Sequence, residues 1–190
     1  MIAPAHLELL RAAAADRTPH SGRTLLDHLR GTHDLLTAWG NPEPVCLAGL
    51  FHSIYGTNAF RHRAFGAADR PRVRAVVGVR AERLAHLFGV VNRPQALIEA
   101  WDRGAPVPHL TAAGGAAPVN RADLLALIEI ECANLIEQNS GSPALRQIWC
   151  RAVDARGLIS PGAYAAVKRV LARPRVSVRS AYLPVGASLQ

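Results

Sequence analysis

Apolar residues recur along much of the chain at the three- and four-residue spacing that places them on one face of a helix. In residues 23–39, Leu25 and Leu29 belong to such a series, and Gly40 followed by Pro42 predicts where this helix ends. The same reasoning predicts further helices over residues 4–15, 43–53, 70–77, 81–88, 93–103, 120–138, 142–155 and 160–172. The chain is therefore expected to consist mainly of amphipathic helices.

The predicted helices leave little room for a sheet. Residues 16–22 suit a polar turn, residues 104–118 are rich in Gly, Pro, Ala and Thr and suit a loop or a small hairpin, and no strand pattern of any length is present. Residues 43–53 are apolar on nearly every side, so that helix is expected at the centre. We predict an all-α fold, with a single domain of about seven to nine helices over residues 1–173 and an extended C-terminal tail over residues 174–190.

Two histidines interrupt the apolar faces of neighbouring predicted helices. His28 and His52 lie 24 residues apart, which is the distance needed to run along one helix, turn and return along the next. Burying an imidazole without a partner costs ~1–3 kcal/mol, so each histidine must be hydrogen-bonded or ligated. Two facing imidazoles can bind a metal, share a proton or hold a substrate, and two separately satisfied core histidines are the alternative. We predict that His28 and His52 face each other across a pocket.

Polar residues on a later predicted helix can complete this pocket. Glu131 lies among apolar positions, Asn134 follows three residues later on nearly the same face, and Glu137 extends the polar strip by a further turn. A carboxylate buried at Glu131 requires a partner. The candidate partners are two histidines, an arginine and a metal ion: His28, His52, Arg30 and a divalent cation.

Three further residues are candidates for ligand contacts. Tyr55 and Thr57 follow the predicted helix over residues 43–53, where the chain leaves the core, and such positions line pocket mouths. Tyr55 can donate a hydrogen bond or act as a weak acid, while ordinary capping and packing is the alternative for both residues. The guanidinium of Arg30, near His28, can hold a phosphate or a carboxylate.

The order of these residues resembles that of the HD-domain superfamily of metal-dependent phosphohydrolases. Those all-α proteins have a first histidine, as at His28, then a His-Asp pair, matched in part by His52-Ser53, and a last aspartate on a later helix. The string LFHSIYGT at 50–57, after HLRGT at 28–32, is more specifically similar to an uncharacterised bacterial branch of that superfamily. The resemblance covers about residues 20–140 and implies an HD-like helical bundle with its pocket at the two histidines.

The departures from the HD pattern concern the metal ligands. Ser53 stands where the metal-binding aspartate belongs, and Asn134 stands where the last aspartate is expected. A hydroxyl and a neutral amide are poor replacements for two carboxylates, and a catalytic zinc or iron needs about three protein ligands. We therefore expect no metal cofactor. If a divalent metal such as Fe, Mn or Zn is bound, its expected ligands are His28, His52 and Glu131.

Composition restricts the partners and the compartment. The net charge of +8 comes almost entirely from scattered arginines without interleaved aromatic residues, which argues against nucleic acid as a partner and is typical of a GC-rich genome. No apolar run approaches the ~20 residues that span a bilayer, and the N-terminus lacks the pattern of a signal peptide, so we predict a cytoplasmic protein with no membrane partner. Cys46, Cys132 and Cys150 form no CxxC pair and are expected to be free buried thiols.

These observations favour a small-molecule enzyme of secondary metabolism with a metal-free HD-like pocket. His28 and His52 would act as acid and base in the isomerisation, elimination or cyclisation of a metabolite, with Glu131 and Tyr55 in support. The residues expected to contact the ligand are Arg30, Thr32, Ser53, Thr57 and Asn134. The alternatives are a metal-dependent HD phosphohydrolase or iron oxygenase with atypical ligands, and a non-catalytic ligand-binding or interaction protein. The many apolar helices and the tail are consistent with a homodimer.

Overall fold

The computed structural model describes residues 2–57, 60, 62–102, 110–112, 115–117, 119–138, 146–148 and 157–172. Over this part of the chain the protein is mostly helical, which confirms the predicted all-α fold. The helices are α1 (Pro4–Ala12), α2 (Leu25–Ala38), α3 (Glu43–Leu50), α4 (Arg70–Val77), α5 (Val79–Val90), α6 (Gln95–Asp102), α7 (Arg121–Glu137) and α8 (Pro161–Leu171), with a short 3-10 helix at Ala67–Asp69. Two small hairpins pair β1 (Pro19–His20) with β2 (Arg23–Thr24) and β3 (Leu110–Ala112) with β4 (Gly115–Ala117).

The first hairpin occupies the segment predicted as a polar turn and leads directly into α2. Its tip residues Ser21 and Gly22 have φ values of 49° and 82°, the left-handed backbone that a two-residue hairpin turn requires. Thr24 then caps α2, because its side chain accepts a hydrogen bond of 3.1 Å from the backbone of Asp27. Two residues are too few to display an alternating pattern, so the sequence does not predict strands this short.

Four helices form the centre of the fold and bring the two predicted histidine positions together. Helix α3 packs against α2 and α5, and α2 also packs against α7. A Cβ atom added to Gly49 would lie 2.3 Å from Cδ1 of Leu36, so α2 and α3 approach closely because this position is glycine. Six consecutive residues of α3 from Val45 to Leu50 are buried, which confirms its predicted central position.

Caps and breaks explain several other element boundaries. The side chain of Asn120 accepts a hydrogen bond of 2.8 Å from Asp123 at the start of α7, and Ser160 accepts one of 3.2 Å from Ala163 at the start of α8. The β3–β4 pair confirms the hairpin alternative for residues 104–118. The tail predicted over residues 174–190 lies outside the described residues, as does most of the helix predicted over residues 142–155.

Two observations relate to the predictions made from composition. Cys46 and Cys132 are buried and free, as predicted, whereas Cys150 lies outside the described residues. In the part of the chain described, none of the helices combines the length and apolar character needed to cross a bilayer.

Candidate functional site

His28 and His52 meet in the interior of the helical core. His28 comes from the first turn of α2, and His52 lies in the turn that follows α3, where the helix has ended two residues earlier. Their Nε2 atoms are 3.2 Å apart, and the rings meet edge to face with centroids 5.0 Å apart. Both residues are buried. The structure therefore brings together the two histidines that the sequence singled out.

The other nitrogen of His28 contacts a carboxylate from α7. His28 Nδ1 is hydrogen-bonded to Oε2 of Glu137, and Arg23 of the first hairpin donates to Oε1 of the same carboxylate. Glu137 lies directly over Gly31, one turn of α2 from His28, and a Cβ atom at Gly31 would lie 2.5 Å from its Oε1. The missing side chain at Gly31 makes room for the Glu137 carboxylate beside His28.

A backbone carbonyl fixes the tautomer of His52. His52 Nδ1 donates to the carbonyl oxygen of Gly49 over 2.7 Å, and a carbonyl only accepts, so Nδ1 carries a proton. A neutral His52 then has its lone pair on Nε2, and His28 donates to it from Nε2. The three contacts Glu137–His28, His28–His52 and His52–Gly49 are hydrogen bonds, and each of them needs one proton. Each neutral imidazole carries one proton on its ring nitrogens, which accounts for two of the three. The third proton belongs to the coupled His28–Glu137 pair.

Burial keeps these imidazoles from gaining further protons. Burial lowers the pKa of His52 well below its ordinary value, and the neighbouring His28 lowers it further. Burial also lowers the pKa of His28, although Glu137 opposes this shift. His52 is therefore a neutral imidazole near neutral pH, the form in which a histidine can accept a proton.

A third histidine, His20, stacks on His28. It lies at the end of β1, and its ring stacks on that of His28 with centroids 4.5 Å apart, while the ring of Phe60 meets it edge-on at 5.1 Å. Its Nε2 is buried and has no hydrogen-bond partner in the described part of the chain. Burial lowers the pKa of His20, and His28 lowers it further. Sequence reasoning missed His20, because no spacing rule relates a turn residue to the helix face that it covers.

A cavity of about 400 Å³ lies beside these histidines. Its wall combines aromatic and aliphatic side chains with polar groups from four parts of the chain. The lining residues are His20, Ser21, His52, Ser53, Thr57, Phe60, Phe88, Arg93, Pro94, Glu131, Asn134, Leu135 and Gln138. The volume is within the range of small-molecule sites.

Glu131 is buried in this wall, but its partner differs from those considered. It is paired with Arg93, whose Nε donates to the carbonyl oxygen of Phe88 over 2.7 Å and whose guanidinium lies 3.4 Å from the centroid of the Phe88 ring. Asn134 also donates to Glu131 over 3.3 Å, and Gln138 donates to Asn134 over 2.9 Å. The expected partners His28, His52 and Arg30 were wrong for Glu131, because Arg93 reaches it from the segment between α5 and α6.

The remaining ligand-contact candidates are divided between the cavity and other places. Ser53, Thr57 and Asn134 line the cavity. Thr32 is buried but donates to the carbonyl oxygen of His28 over 3.0 Å, so its hydroxyl serves the α2 backbone. Arg30 lies exposed on the outer face of α2 and is absent from the cavity wall.

Tyr55 lies in a separate buried cluster. Its hydroxyl donates to Glu82 over 3.1 Å, and Arg70 and Arg74 donate to the same carboxylate. Burial raises the pKa of Tyr55, and Glu82 raises it further. Tyr55 lines another cavity, of about 190 Å³, together with His86. The structure therefore does not bring the predicted acid Tyr55 to the His28–His52 pair.

The residues at the site do not fit the divalent metal that the HD resemblance implies. All four ring nitrogens of His28 and His52 are engaged with each other, Glu137 or Gly49. The carboxylate of Glu131 is held by Arg93, and Ser53 offers only a neutral hydroxyl. Throughout the described ranges, no three His, Cys, Asp or Glu side chains are grouped so that they could hold a metal ion. A catalytic divalent metal takes about three protein ligands.

Comparison with known families gives a match in the N-terminal half of the chain. A family model for a domain of unknown function (DUF6817) matches residues 9–93. This region contains His20, His28 and His52 and ends before α7, which supplies Glu131 and Glu137. No curated protein and no solved structure matches the chain. The N-terminal half is thus similar to a family described only as a domain of unknown function.

Proposed function

We propose that the protein is a small-molecule enzyme that performs general acid–base chemistry without a metal. The observation that carries the proposal is the buried chain of shared protons from Glu137 through His28 to His52, which ends at the wall of the cavity. Histidine pairs are suited to proton transfer near neutral pH, and isomerisation, elimination or cyclisation of a metabolite requires no more than such transfers.

The protonation of this chain supports the proposed chemistry. His52 accepts the proton of His28 at Nε2, and burial, which lowers the pKa of His52 well below its ordinary value, keeps His52 neutral in that role. The proton shared by His28 and Glu137 lies behind His52, at the far side of the 3.2 Å contact between the two Nε2 atoms. When a charge is created at the cavity wall, the proton shared by His28 and Glu137 can move along these hydrogen bonds and balance that charge.

The cavity wall supports an uncharged ligand. The cation of Arg93 is paired with Glu131 inside the wall, so neither offers an unpaired charge to a ligand. Phe60 and Phe88 supply apolar surface, and Ser53 supplies a hydroxyl. We propose as substrate a small uncharged metabolite that has an apolar face and carries a hydroxyl or carbonyl group.

A second candidate function is a ligand-binding protein that performs no reaction. The observation that favours it is the engagement of all four ring nitrogens of His28 and His52, which leaves neither histidine an open position for a ligand. The cavity would then select a ligand by shape and by its polar wall. A ligand-binding protein would bind a compound without converting it, whereas the proposed enzyme would convert it.

Two further proposals concern compartment and assembly. Free buried thiols at Cys46 and Cys132 support a reducing compartment, and we propose the cytoplasm. The homodimer expected from the sequence is also proposed, and light scattering coupled to a sizing column tests it by measuring the molar mass in solution.

The enzymatic proposal is tested by offering chelator-treated protein a panel of small uncharged metabolites and following their conversion by mass spectrometry. We expect a conversion that falls by about 100-fold or more in His28→Gln and His52→Gln, which is the lower range of a general acid–base contribution. His33→Gln is the matched control, because His33 lies on α2 but contacts Asp34 and lines a different cavity. Binding of a compound without any conversion would instead support the second candidate.

A further inference from the structure

His20 differs from the other two histidines in what its nitrogens contact. His28 uses its ring nitrogens for Glu137 and His52, and His52 uses its own for His28 and Gly49. His20 Nε2, by contrast, is buried and finds no hydrogen-bond partner among the residues that the structure describes, although its ring lies in the wall of the same cavity. A buried polar nitrogen that is left unpaired destabilises the folded protein, so a nitrogen kept in this state needs an explanation.

The surroundings of His20 hold its ring firmly while leaving Nε2 uncommitted. The ring is stacked on His28 at an interplanar angle of 29° and meets Phe60 at 88°. The hairpin that carries His20 is fixed at its other strand, because Arg23 donates to Glu137, the residue that also contacts His28. A positioned imidazole with a free nitrogen beside a cavity has the form of a general base that awaits a ligand.

We infer that His20 is a catalytic residue of this pocket and that its Nε2 exchanges the proton with the bound ligand. This inference rests on the proposed acid–base function and assigns the step that the engaged nitrogens of His28 and His52 leave open. In the tautomer with the proton on Nδ1, the Nε2 lone pair takes a proton from one atom of the ligand. His20 becomes an imidazolium and returns the proton to another atom of the ligand, so no external oxidant or reductant is needed.

The positive charge created on His20 lies against a group that can compensate for it. The stacked His28 shares a proton with Glu137, so movement of that proton toward the carboxylate reduces the charge on His28 while His20 is protonated. Glu137 raises the pKa of His20, against the effects of burial and His28. In this proposal His28 and Glu137 position His20 and balance the charge that it gains.

The free nitrogen can be tested on the wild-type protein with diethyl pyrocarbonate, which reacts with the lone pair of an unprotonated imidazole nitrogen. Trypsin cleavage after arginine places His20 and His28 on different peptides, so peptide mapping measures their labelling rates separately. We expect His20 to be labelled at least about tenfold faster than His28 and His52, with the exposed His62 as the control for reagent activity. Labelling of His20 no faster than that of His28 and His52 overturns the inference, whatever the protein turns over.

The catalytic role is tested by His20→Gln in the conversion assay, beside His33→Gln. We expect kcat to fall by about 100-fold or more with KM changed by less than about threefold, because the substituted group acts on the proton and not on ligand affinity. If His20 is labelled fastest but His20→Gln retains wild-type kcat, the inference fails and the proposed function stands. If the wild type converts no compound, both fail.

Discussion

The protonation of each imidazole in the pocket depends on the hydrogen-bond partners of its two ring nitrogens. His52 meets a carbonyl oxygen and His28, while His28 meets His52 and the Glu137 carboxylate. These contacts decide which nitrogen carries a proton, and therefore which histidine can act as a base. Glu137 supplies the carboxyl group in this series of contacts, and it opposes the effect of burial on the pKa of His28. Its removal should therefore be visible at His28 without any knowledge of the substrate.

Glu137→Gln is expected to lower the titration midpoint of His28. The carboxylate raises the pKa of His28 through both a hydrogen bond and its charge, and an amide of the same shape supplies no charge. The midpoint is measured by long-range proton–nitrogen NMR of protein labelled at histidine nitrogen. Glu8→Gln on the exposed face of α1 is the control. An unchanged or raised His28 midpoint in Glu137→Gln would contradict the assigned contact.

Two glycines determine how closely the central helices approach. Gly49 allows α3 to lie against Leu36 of α2, and Gly31 allows the end of α7 to place Glu137 beside His28. Neither glycine ends a helix or adopts a left-handed backbone, so each is explained by the space that a Cβ atom would take. The position of the site thus depends on helix crossings as well as on the polar residues themselves.

Gly31→Ala is expected to reproduce the effect of Glu137→Gln on His28. The new methyl group would fall within 2.5 Å of the Glu137 carboxylate, which is the end of a flexible side chain and moves away. The His28 midpoint should fall, although alanine adds up to about 1 kcal/mol of helix propensity to α2. The measurement is the same NMR titration, applied to both single variants and to the double variant.

The double variant provides the decisive comparison for Gly31→Ala. If both substitutions act by removing one contact, the His28 midpoint of the double variant equals that of Glu137→Gln alone. Gly66→Ala is the matched control, because the added methyl group would meet its nearest neighbour at an ordinary 3.8 Å and the backbone there is not left-handed. Additive shifts, or no shift in Gly31→Ala, would show that Glu137 does not depend on the space at Gly31.

The extent to which the sequence predicted these elements depends on the range of the interaction involved. The apolar spacing around Leu29 and the cap at Asn120 are local, and they placed α2 and α7 within a few residues. The contact between His28 and His52 was predicted from their 24-residue spacing, because the chain runs along one helix, turns and returns along the next. The partner of Glu131 did not follow, because Arg93 lies in a connection between helices whose path depends on packing that no periodicity encodes.

At the scale of the whole molecule, the buried histidines couple stability to pH. The pKa values of His20, His52 and His86 are all lowered in the folded protein, with burial as the largest cause in each. Below about pH 6.5 the unfolded chain therefore binds more protons than the folded protein, and stability falls as the pH falls. The contribution of these groups is fully present above that pH.

We expect the free energy of unfolding to decrease between pH 6.5 and pH 5, by up to about 1.4 kcal/mol per pH unit for each histidine that stays neutral when folded. Urea denaturation at several pH values measures it. His52→Gln should show a shallower pH dependence, because the most strongly shifted of these groups has been removed. Stability that is constant or increases on acidification would contradict neutral, buried histidines in the folded protein.

The central claim, that this pocket moves protons without a metal, is tested most directly by solvent deuterium incorporation. Chelator-treated wild-type protein is incubated in D2O with a panel of uncharged metabolites, and the mass of each recovered compound or product is measured. We predict that at least one gains deuterium at carbon, that His52→Gln loses this exchange and that His33→Gln retains it. No incorporation by the wild type, or incorporation that the chelator abolishes and added Fe, Mn or Zn restores, would contradict the claim.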